Sequence, residues 1–272
     1  MAEWEKYCLS KEADIQKMFP NANLKNPHTF TDKLHWLKIH DSTLLKSFCS
    51  DKITLHDYCI EKLGKDICIP ILKTYNSVNE INLNELPNSF VMKCNHGSAM
   101  NIIVEDKTKF NFHLAKQKLD KWLKEDYSVH SELHYKLIPH KILVEEYKAN
   151  LGRSDLTDYK FFCFNGEPKF CQVITDRRAG EKISHYDLNW KYSPRYDWKQ
   201  YSSDPTLEKP KHYEKMIEYA KLLAQEFKLV RVDFYEIDDS VYLGELTFVP
   251  ANGKQIFKNP NTNLELGKLL RL

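Results

Sequence analysis

Glycine is scarce in this sequence, with 8 residues in 272. Neither GxxxxGK[ST] nor GxGxxG occurs, and this excludes a P-loop and a dinucleotide fingerprint, which both need several glycines around a phosphate. The seven cysteines are scattered and form no CxxC pair. That pattern is typical of reduced thiols packed in a core, in a cytoplasmic protein.

Long apolar runs and an excess of one charge are also missing. No stretch of about eighteen apolar residues occurs, and the amino terminus is charged from its third residue, so we expect no membrane span, no cleaved export signal and a cytoplasmic location. Lys and Arg number 40 against 38 Asp and Glu, which gives a net charge of +2. This balance does not favour capture of a polyanionic backbone, and we expect no nucleic-acid partner.

The patterns that are present alternate between helical and strand-like segments. Helical spacing of apolar residues marks the first fifty residues, and further helices are predicted before Gly64 and over 110–124, 211–227 and 263–272. Strand-like segments fall at 68–75, 90–93, 101–104, 141–147, 158–164, 168–175, 229–235 and 241–247. Short turns such as Asn165-Gly166 predict hairpins, so the expected class is α+β with antiparallel sheets.

The stretch FVMKCNHGSAMNIIVEDK, residues 90–107, places a lysine at the end of an apolar run and a small polar turn after it. Lys93 and the backbone N–H groups from His96 through Gly97 and Ser98 could surround a phosphate. A plain hairpin with a surface lysine would produce the same pattern. The stretch alone leaves both interpretations open.

Two acidic residues lie in apolar strands near the carboxyl end. Asp233 and Glu245 are predicted on neighbouring strands of one hairpin. A buried carboxylate must be paired or bound to a cation, and oxygen ligands together with phosphate favour Mg²⁺. The alternative is that Asp233 forms an ion pair with Arg231, two residues away on the same face.

These phrases occur in a fixed order that resembles a known superfamily. KCNHGS, KILVEEYK, DYKFFCFNG, RVDFY and GELTFVP follow one another over about residues 30–260. The order is similar to that of the ATP-grasp superfamily, and specifically of its TupA-like branch of polysaccharide biosynthesis proteins. The resemblance implies two small lobes with antiparallel sheets that grip ATP: residues 51–147 with the phosphate loop and residues 148–272 with the metal site, after a helical segment of residues 1–50.

The same resemblance implies a site for ATP and Mg²⁺. The residues that would bind the nucleotide are Lys93, His96, Gly97, Ser98, Glu145, Glu146, Tyr147, Asp158 and Lys160. Those that would act on the transferring phosphoryl group are Lys160, Arg177 and Arg231. Those that would hold the metal are Asp233 and Glu245.

The sequence departs from the family pattern at two of these places. Thr247 stands where the superfamily usually has an asparagine in its final metal motif, and Asn252 is the alternative third ligand. His56 stands where a basic residue usually follows the Asp51-Lys52 phrase. A contact of His56 with phosphate would therefore depend on its protonation.

Two further histidines are not assigned to a site. His130 and His134 lie four residues apart around Glu132, in a polar stretch without a third metal ligand. We expect both at the surface.

The resemblance implies an ATP-dependent carboxylate–amine ligase that works through an acyl phosphate in capsular or surface polysaccharide biosynthesis. The expected partners are a small-molecule carboxylate such as a sugar acid, an amine, and a second enzyme of the same pathway. The same residues also allow a small-molecule kinase, a metal-dependent glycosyltransferase, or a regulator that binds ATP without turnover.

Overall fold

The structure is a computed structural model that describes residues 2–148, 156–177 and 180–272. Its helices are α1 Ala2–Ser10, α2 Glu12–Met18, α3 Phe30–His40, α4 Leu44–Ser50, α5 Leu55–Leu63, α6 Phe112–Leu123, α7 Tyr213–Ala224 and α8 Thr262–Leu269. Its strands are β1 Ile71–Tyr75, β2 Phe90–Cys94, β3 Asn101–Val104, β4 Ile142–Glu146, β5 Asp158–Phe164, β6 Glu167–Thr175, β7 Lys182–Asp187, β8 Leu229–Ile237 and β9 Ser240–Thr247.

The strands form two antiparallel sheets. The first sheet has the order β1-β4-β2-β3 and the second has the order β7-β6-β5-β8-β9. The predicted α+β class with two antiparallel sheets is therefore confirmed, and the helices before residue 51 are present as expected. Strand β7 was not predicted, because its sequence KISHYD alternates weakly and follows a charged segment.

Short turns set the pairing within the second sheet. Asp238 and Asp239 have φ angles of 48° and 61°, which is the left-handed pair required by a two-residue hairpin between β8 and β9. Asn165 and Gly166 have φ angles of 50° and 82° and join β5 to β6 in the same way. These turns set the pairing next to them, and one register shift in each hairpin, at Phe162/Cys163 and at Asp233/Phe234, changes it further along the strands.

The largest core lies around the second sheet. Helices α3, α5 and α7 place apolar side chains against it, including Phe30, Leu34, Tyr58 and Leu223. A smaller core lies between the first sheet and α6. Part of the amino-terminal helical segment therefore packs on the second sheet, and the predicted domain boundaries stay a prediction.

Local signals explain the ends of the helices in this region. Thr29 and Asp32 form a capping box at the start of α3, in which the Thr29 side chain accepts a hydrogen bond from the Asp32 backbone. Gly64 ends α5 in the left-handed conformation, with a φ of 70°. None of the helices described in the structure combines the length and the apolar character that a membrane span needs.

Candidate active site

Charged residues line one face of three neighbouring strands in the second sheet. Strand β5 carries Lys160 opposite Asp233 of β8, and Asp233 in turn faces Glu245 of β9. Side chains two residues apart share a face of a strand, which adds Asp158 and Arg231 to the same surface. The structure therefore brings together five predicted site residues that are up to 87 positions apart in the sequence.

Asp233 is the most enclosed member of this group. It is 1 % exposed. Arg231 Nε donates to Asp233 Oδ1 and Arg231 Nη2 donates to Oδ2, each at 2.7 Å, and Lys160 Nζ also contacts Oδ2. The ion pair with Arg231, which was the alternative to a metal site, is present. Arg231 and Lys160 offset part of the cost of burying the carboxylate, but burial still raises the pKa of Asp233.

Glu245 faces the open side of the same cluster, and its side chain is 40 % exposed. Its Oε1 accepts hydrogen bonds from Arg231 Nη2 at 3.1 Å and from Thr247 Oγ1 at 3.1 Å. Burial would raise the pKa of Glu245, but the positive charges of Lys160, Arg231 and Lys52 outweigh it and lower this pKa to about 2. Glu245 is therefore ionised throughout the physiological pH range.

Two basic residues contact Asp158, at the start of β5. Lys160 Nζ lies 3.0 Å from Asp158 Oδ1, and Arg177 Nε donates to Asp158 Oδ2 at 2.8 Å. Asp158 is 2 % exposed, whereas the side chain of Arg177 is 46 % exposed. Lys160 thus bridges two buried carboxylates, and Arg177 extends the positive surface towards solvent.

The first sheet contributes a second group of predicted residues. Lys93, at the end of β2, forms an ion pair with Glu145 of β4, and the two side chains are 21 % and 8 % exposed. Glu146 pairs with Lys148, and Tyr147 donates from its hydroxyl to Glu105 Oε1 at 3.2 Å. Glu146 and Tyr147 thus lie at and after the end of β4, where the chain leaves the first sheet.

In the loop after β2, the side chain of His96 is packed in the interior of the protein. His96 is fully buried, its ring is stacked on His140 with centroids 3.6 Å apart, and its Nε2 lies 3.1 Å from the Trp122 carbonyl. Burial and His140 lower the pKa of His96 to about 4. The side chain is therefore neutral at pH 7, and its backbone is what a phosphate could contact. Ser98 is exposed at the loop tip.

Gly97 is required by close packing in this loop. A Cβ atom at this position would lie 2.9 Å from Met100 Sδ and 2.9 Å from Tyr127 Cδ2. The absence of a side chain lets the loop backbone approach both residues.

A narrow crevice lies where the first sheet approaches β9. Lys93 and Glu145 of the first sheet line it together with Leu243 and Gly244 of β9 and with Lys52, His56 and Cys68 from the segments between α4 and β1. Lys52 Nζ donates to the Gly97 carbonyl at 2.5 Å, and it contributes to the lowered pKa of Glu245. The phosphate-loop side and the carboxylate side are therefore close enough to act on one ligand.

Sequence reasoning missed a buried polar network beside this site. Glu132 is 8 % exposed, and burial raises its pKa to about 7, against the effect of Lys38. Lys38 is 1 % exposed and donates to Ser131 Oγ at 2.8 Å and Asn252 Oδ1 at 2.6 Å. Glu245 and Arg231 also act on the Glu132 pKa, which places Glu132 near the charged cluster.

The expectation that both His130 and His134 lie at the surface is wrong for His134. His134 is 2 % exposed, and burial lowers its pKa to about 3. The stretch SVHSELHYK is polar, but it folds inward, with Leu133 and His134 buried in a short 3₁₀ helix. Periodicity could not show this because the segment is too short to have a regular period.

The residues present fit a divalent cation with oxygen ligands. Asp233 accepts three hydrogen bonds, and a carboxylate offers about four lone-pair positions, so one position on Oδ1 is open. Glu245 is ionised and partly exposed. Of the two candidate third ligands, Thr247 Oγ1 contacts Glu245, whereas Asn252 Oδ1 accepts from Lys38 and Ser131. This geometry favours Thr247.

Comparison with known proteins identifies the family. The family model described as TupA-like ATPgrasp matches residues 32–271. The chain belongs to this family, and the predicted membership of the TupA-like ATP-grasp branch is confirmed. A comparison with curated proteins found no match.

Several solved structures are similar in outline. D-alanine–D-alanine ligase from Helicobacter pylori is 18 % identical with a TM-score of 0.44, and the match covers 82 % of this chain and 59 % of that one. The Bacillus anthracis D-alanine–D-alanine ligase complexed with ATP is 16 % identical with a TM-score of 0.45, and the match covers 90 % of this chain and 75 % of that one. ATP-grasp ligase PsnB complexed with a minimal precursor, Mg and ADP is 12 % identical with a TM-score of 0.43, and the match covers 88 % of this chain and 64 % of that one. The chain thus spans about three fifths of the Helicobacter pylori enzyme.

Proposed function

We propose that this protein is an ADP-forming carboxylate–amine ligase that activates a small-molecule carboxylate with ATP and joins it to an amine. The observation that carries the proposal is the cluster of Lys160, Arg231, Asp233 and Glu245 on one sheet face, near Lys52, which lines the crevice with Lys93 and helps to lower the pKa of Glu245. Cations from both sheets are thereby available to one polyanionic ligand, next to carboxylates that can hold a divalent ion.

The roles proposed for the first sheet and for Asp158 are those that the resemblance to the ATP-grasp superfamily implies. Lys93 and the backbone of the loop from His96 to Ser98 contact the phosphates, and the end of β4 at Glu145, Glu146 and Tyr147 receives the adenine edge. Asp158 is proposed to contact the ribose. Each of these roles requires the ligand to enter the crevice that Lys52 and Lys93 line.

The second sheet supplies the charge needed for phosphoryl transfer. We assign Lys160 and Arg177 to the triphosphate and Arg231 to the transferring phosphoryl group, where positive charge stabilises the oxygens that become more negative in the transition state. Asp233 and Glu245, with Thr247, would hold Mg²⁺, which neutralises phosphate charge when bound. Because Arg231 is fixed by Asp233, its guanidinium is oriented before the substrate arrives.

The chemistry needs no nucleophilic side chain. A carboxylate oxygen of the substrate attacks the γ-phosphorus of ATP, the bond to the β–γ bridging oxygen breaks, and ADP leaves. The amine then attacks the acyl phosphate, loses a proton, and expels inorganic phosphate to give an amide. The protein contributes position and charge.

The substrate class is proposed from the resemblance to the TupA-like branch. We infer that the carboxylate belongs to a sugar acid or a precursor of a capsular or surface polysaccharide, that the reaction takes place in the cytoplasm, and that a second pathway enzyme supplies or consumes the product.

The test is ADP release by the purified chain in a matrix of uronic acids and amines. Asp233→Asn is the site variant, and Asp120→Asn, an exposed helix position, is the matched control. We expect ADP release that needs both a carboxylate and an amine, with an amide product detected by mass spectrometry, and loss of this activity in Asp233→Asn alone. Equal activity in both variants would contradict the site assignment.

Other outcomes separate the alternative functions. A small-molecule kinase would release ADP with a hydroxyl compound and no amine, and its product would retain phosphate. A glycosyltransferase would consume a nucleotide sugar without ATP. Binding of ATP with no turnover under any combination would favour a regulator and contradict the ligase proposal.

A further inference from the structure

A second group of metal-ligand side chains lies at the junction of α5 and the segment that leads into β1. One ligand atom each from His56, Asp66 and Cys68 can be chosen so that all lie within 4.8 Å of one another. His56 Nδ1 is 2.7 Å from Asp66 Oδ2. His56 and Cys68 border the crevice that Lys52 and Lys93 line, but the proposed ligase chemistry assigns no role to this group.

The local fold brings a fourth ligand to the same place. Cys59 lies one helical turn after His56 in α5, so both project from one side of the helix. The Cys59 thiol donates to the Lys65 carbonyl at 3.6 Å, so it faces the segment that carries Asp66 and Cys68. Gly64 then reverses the chain in the left-handed conformation and returns Asp66 and Cys68 to this side of α5.

The segment that carries Asp66 and Cys68 is held in place by backbone contacts. The Cys68 backbone N–H donates to Asp66 Oδ1 at 2.9 Å, which orients the carboxylate and leaves Oδ2 towards His56. The Leu243 backbone N–H donates to the Ile67 carbonyl at 2.8 Å and ties the segment to β9. Oriented ligands of this kind are typical of metal sites, in which outer contacts fix the inner ones.

We propose that His56, Cys59, Asp66 and Cys68 form a structural zinc site. The two thiols lose their protons to solvent on binding, and the ion takes two thiolates, one imidazole nitrogen and one carboxylate oxygen. Ligand atoms bonded to zinc at about 2.0–2.3 Å lie about 3.3–3.8 Å apart, so the spacing of the His56, Asp66 and Cys68 ligand atoms needs side-chain shifts of about 1 Å or less. The Cys59 thiol must in addition turn from the Lys65 carbonyl towards the ion.

The ligand types select the metal and separate this site from the active site. Thiolate and imidazole favour zinc, whereas Mg²⁺ prefers the oxygen ligands found at Asp233 and Glu245. Cys59 and Cys68 are 0 % and 7 % exposed, whereas the side chains of His56 and Asp66 are 15 % and 37 % exposed. An ion can therefore enter from the solvent side and reach the thiols inside.

The test is metal binding by the full chain, freed of any histidine tag, stripped with a chelator and kept reduced. We expect about one Co²⁺ per chain, with a thiolate charge-transfer absorption and the strong visible bands of a tetrahedral site, and displacement by Zn²⁺. Cys59→Ser and Cys68→Ser should each lower the thiolate absorption by about half or abolish it. Cys8→Ser, a buried thiol in a different core, is the control and should retain the full spectrum.

Two further variants keep the proposal testable if a cysteine variant does not fold. His56→Gln and Asp66→Asn change partly exposed side chains and should weaken Zn²⁺ binding by more than about 10-fold. The zinc site would be overturned if the wild-type protein lacked the thiolate absorption, or if all variants had equal metal affinity. The group would then be a hydrogen-bonded pair of His56 and Asp66 beside the packed thiols of Cys59 and Cys68. None of these readouts uses nucleotide or substrate, so failure here leaves the ligase proposal unaffected.

Discussion

The two sheets differ in how their charged side chains are paired and buried. In the second sheet, Asp233 and Lys160 are almost fully buried and each contacts more than one partner of opposite charge. In the first sheet, Lys93 has one partner, Glu145, and its side chain is 21 % exposed. The second sheet is therefore a charge network fixed by folding, whereas the first sheet presents a cation that can exchange its partner for a ligand.

Asp233→Asn should have the largest effect, because it breaks the network of the second sheet. Arg231 and Lys160 would remain buried without their shared counter-charge, so we expect a loss of about 3–5 kcal/mol in the free energy of unfolding. ADP release should fall by at least about 100-fold. Urea unfolding and an ADP assay measure the two effects. A variant as stable as the parent would show that the network does not depend on this carboxylate.

Glu245→Gln should produce an effect that depends on pH. The pKa of Glu245 in the folded protein, about 2, lies below its ordinary value of 4.5. Its ionised form is therefore stabilised by folding, so the contribution is present above pH 4.5 and is lost as the pH falls towards 2. We expect the stability difference between parent and variant to shrink over that window in urea unfolding. A difference independent of pH would contradict the assigned pairing.

Lys93→Met should affect ligand binding more than stability. The dissociation constant for ATP should rise by about 10-fold, because one phosphate contact is lost, whereas the free energy of unfolding should fall by about 1 kcal/mol or less. Isothermal titration calorimetry measures the first quantity. Lys73→Met, which removes an exposed cation from the same sheet, is the control and should leave ATP binding unchanged.

Gly97→Ala should have the smallest effect. The added Cβ would crowd Met100 and Tyr127, but the atoms it meets belong to side chains that can shift. We expect a loss of about 1 kcal/mol in stability and an increase of about 3-fold in the dissociation constant for ATP. Unchanged ATP binding would show that this loop does not approach the phosphates.

The sequence predicted the strands of the second sheet well because their signals are local. The turns at Asn165-Gly166 and Asp238-Asp239 require left-handed residues, and the apolar runs beside them are long enough to identify as strands. The facing of Asp233 and Glu245 depends in addition on a β-bulge at Gly244, because Phe234 pairs with Leu243 and Asp233 with Glu245. The order of the motifs along the sequence then indicated the family, which no single motif could identify.

The features that were missed depend on contacts between distant segments. Lys38 and Glu132 are 94 positions apart, and nothing in either local sequence indicates that both are buried. The group of His56, Cys59, Asp66 and Cys68 is compact in sequence, but it lacks the CxxC spacing by which zinc sites are usually recognised. Only the reversal at Gly64 shows that these side chains lie together.

The two-residue turn between β8 and β9 has a consequence for how this protein can change. Strand residues alternate between faces, so the insertion of one residue at Asp238-Asp239 would move Glu245 to the opposite side of the sheet, away from Asp233. The residues at the turn can be substituted as long as the new residues accept left-handed backbone angles. The length of the turn cannot change in this way, and we expect related chains to vary here in composition and to keep the same number of residues.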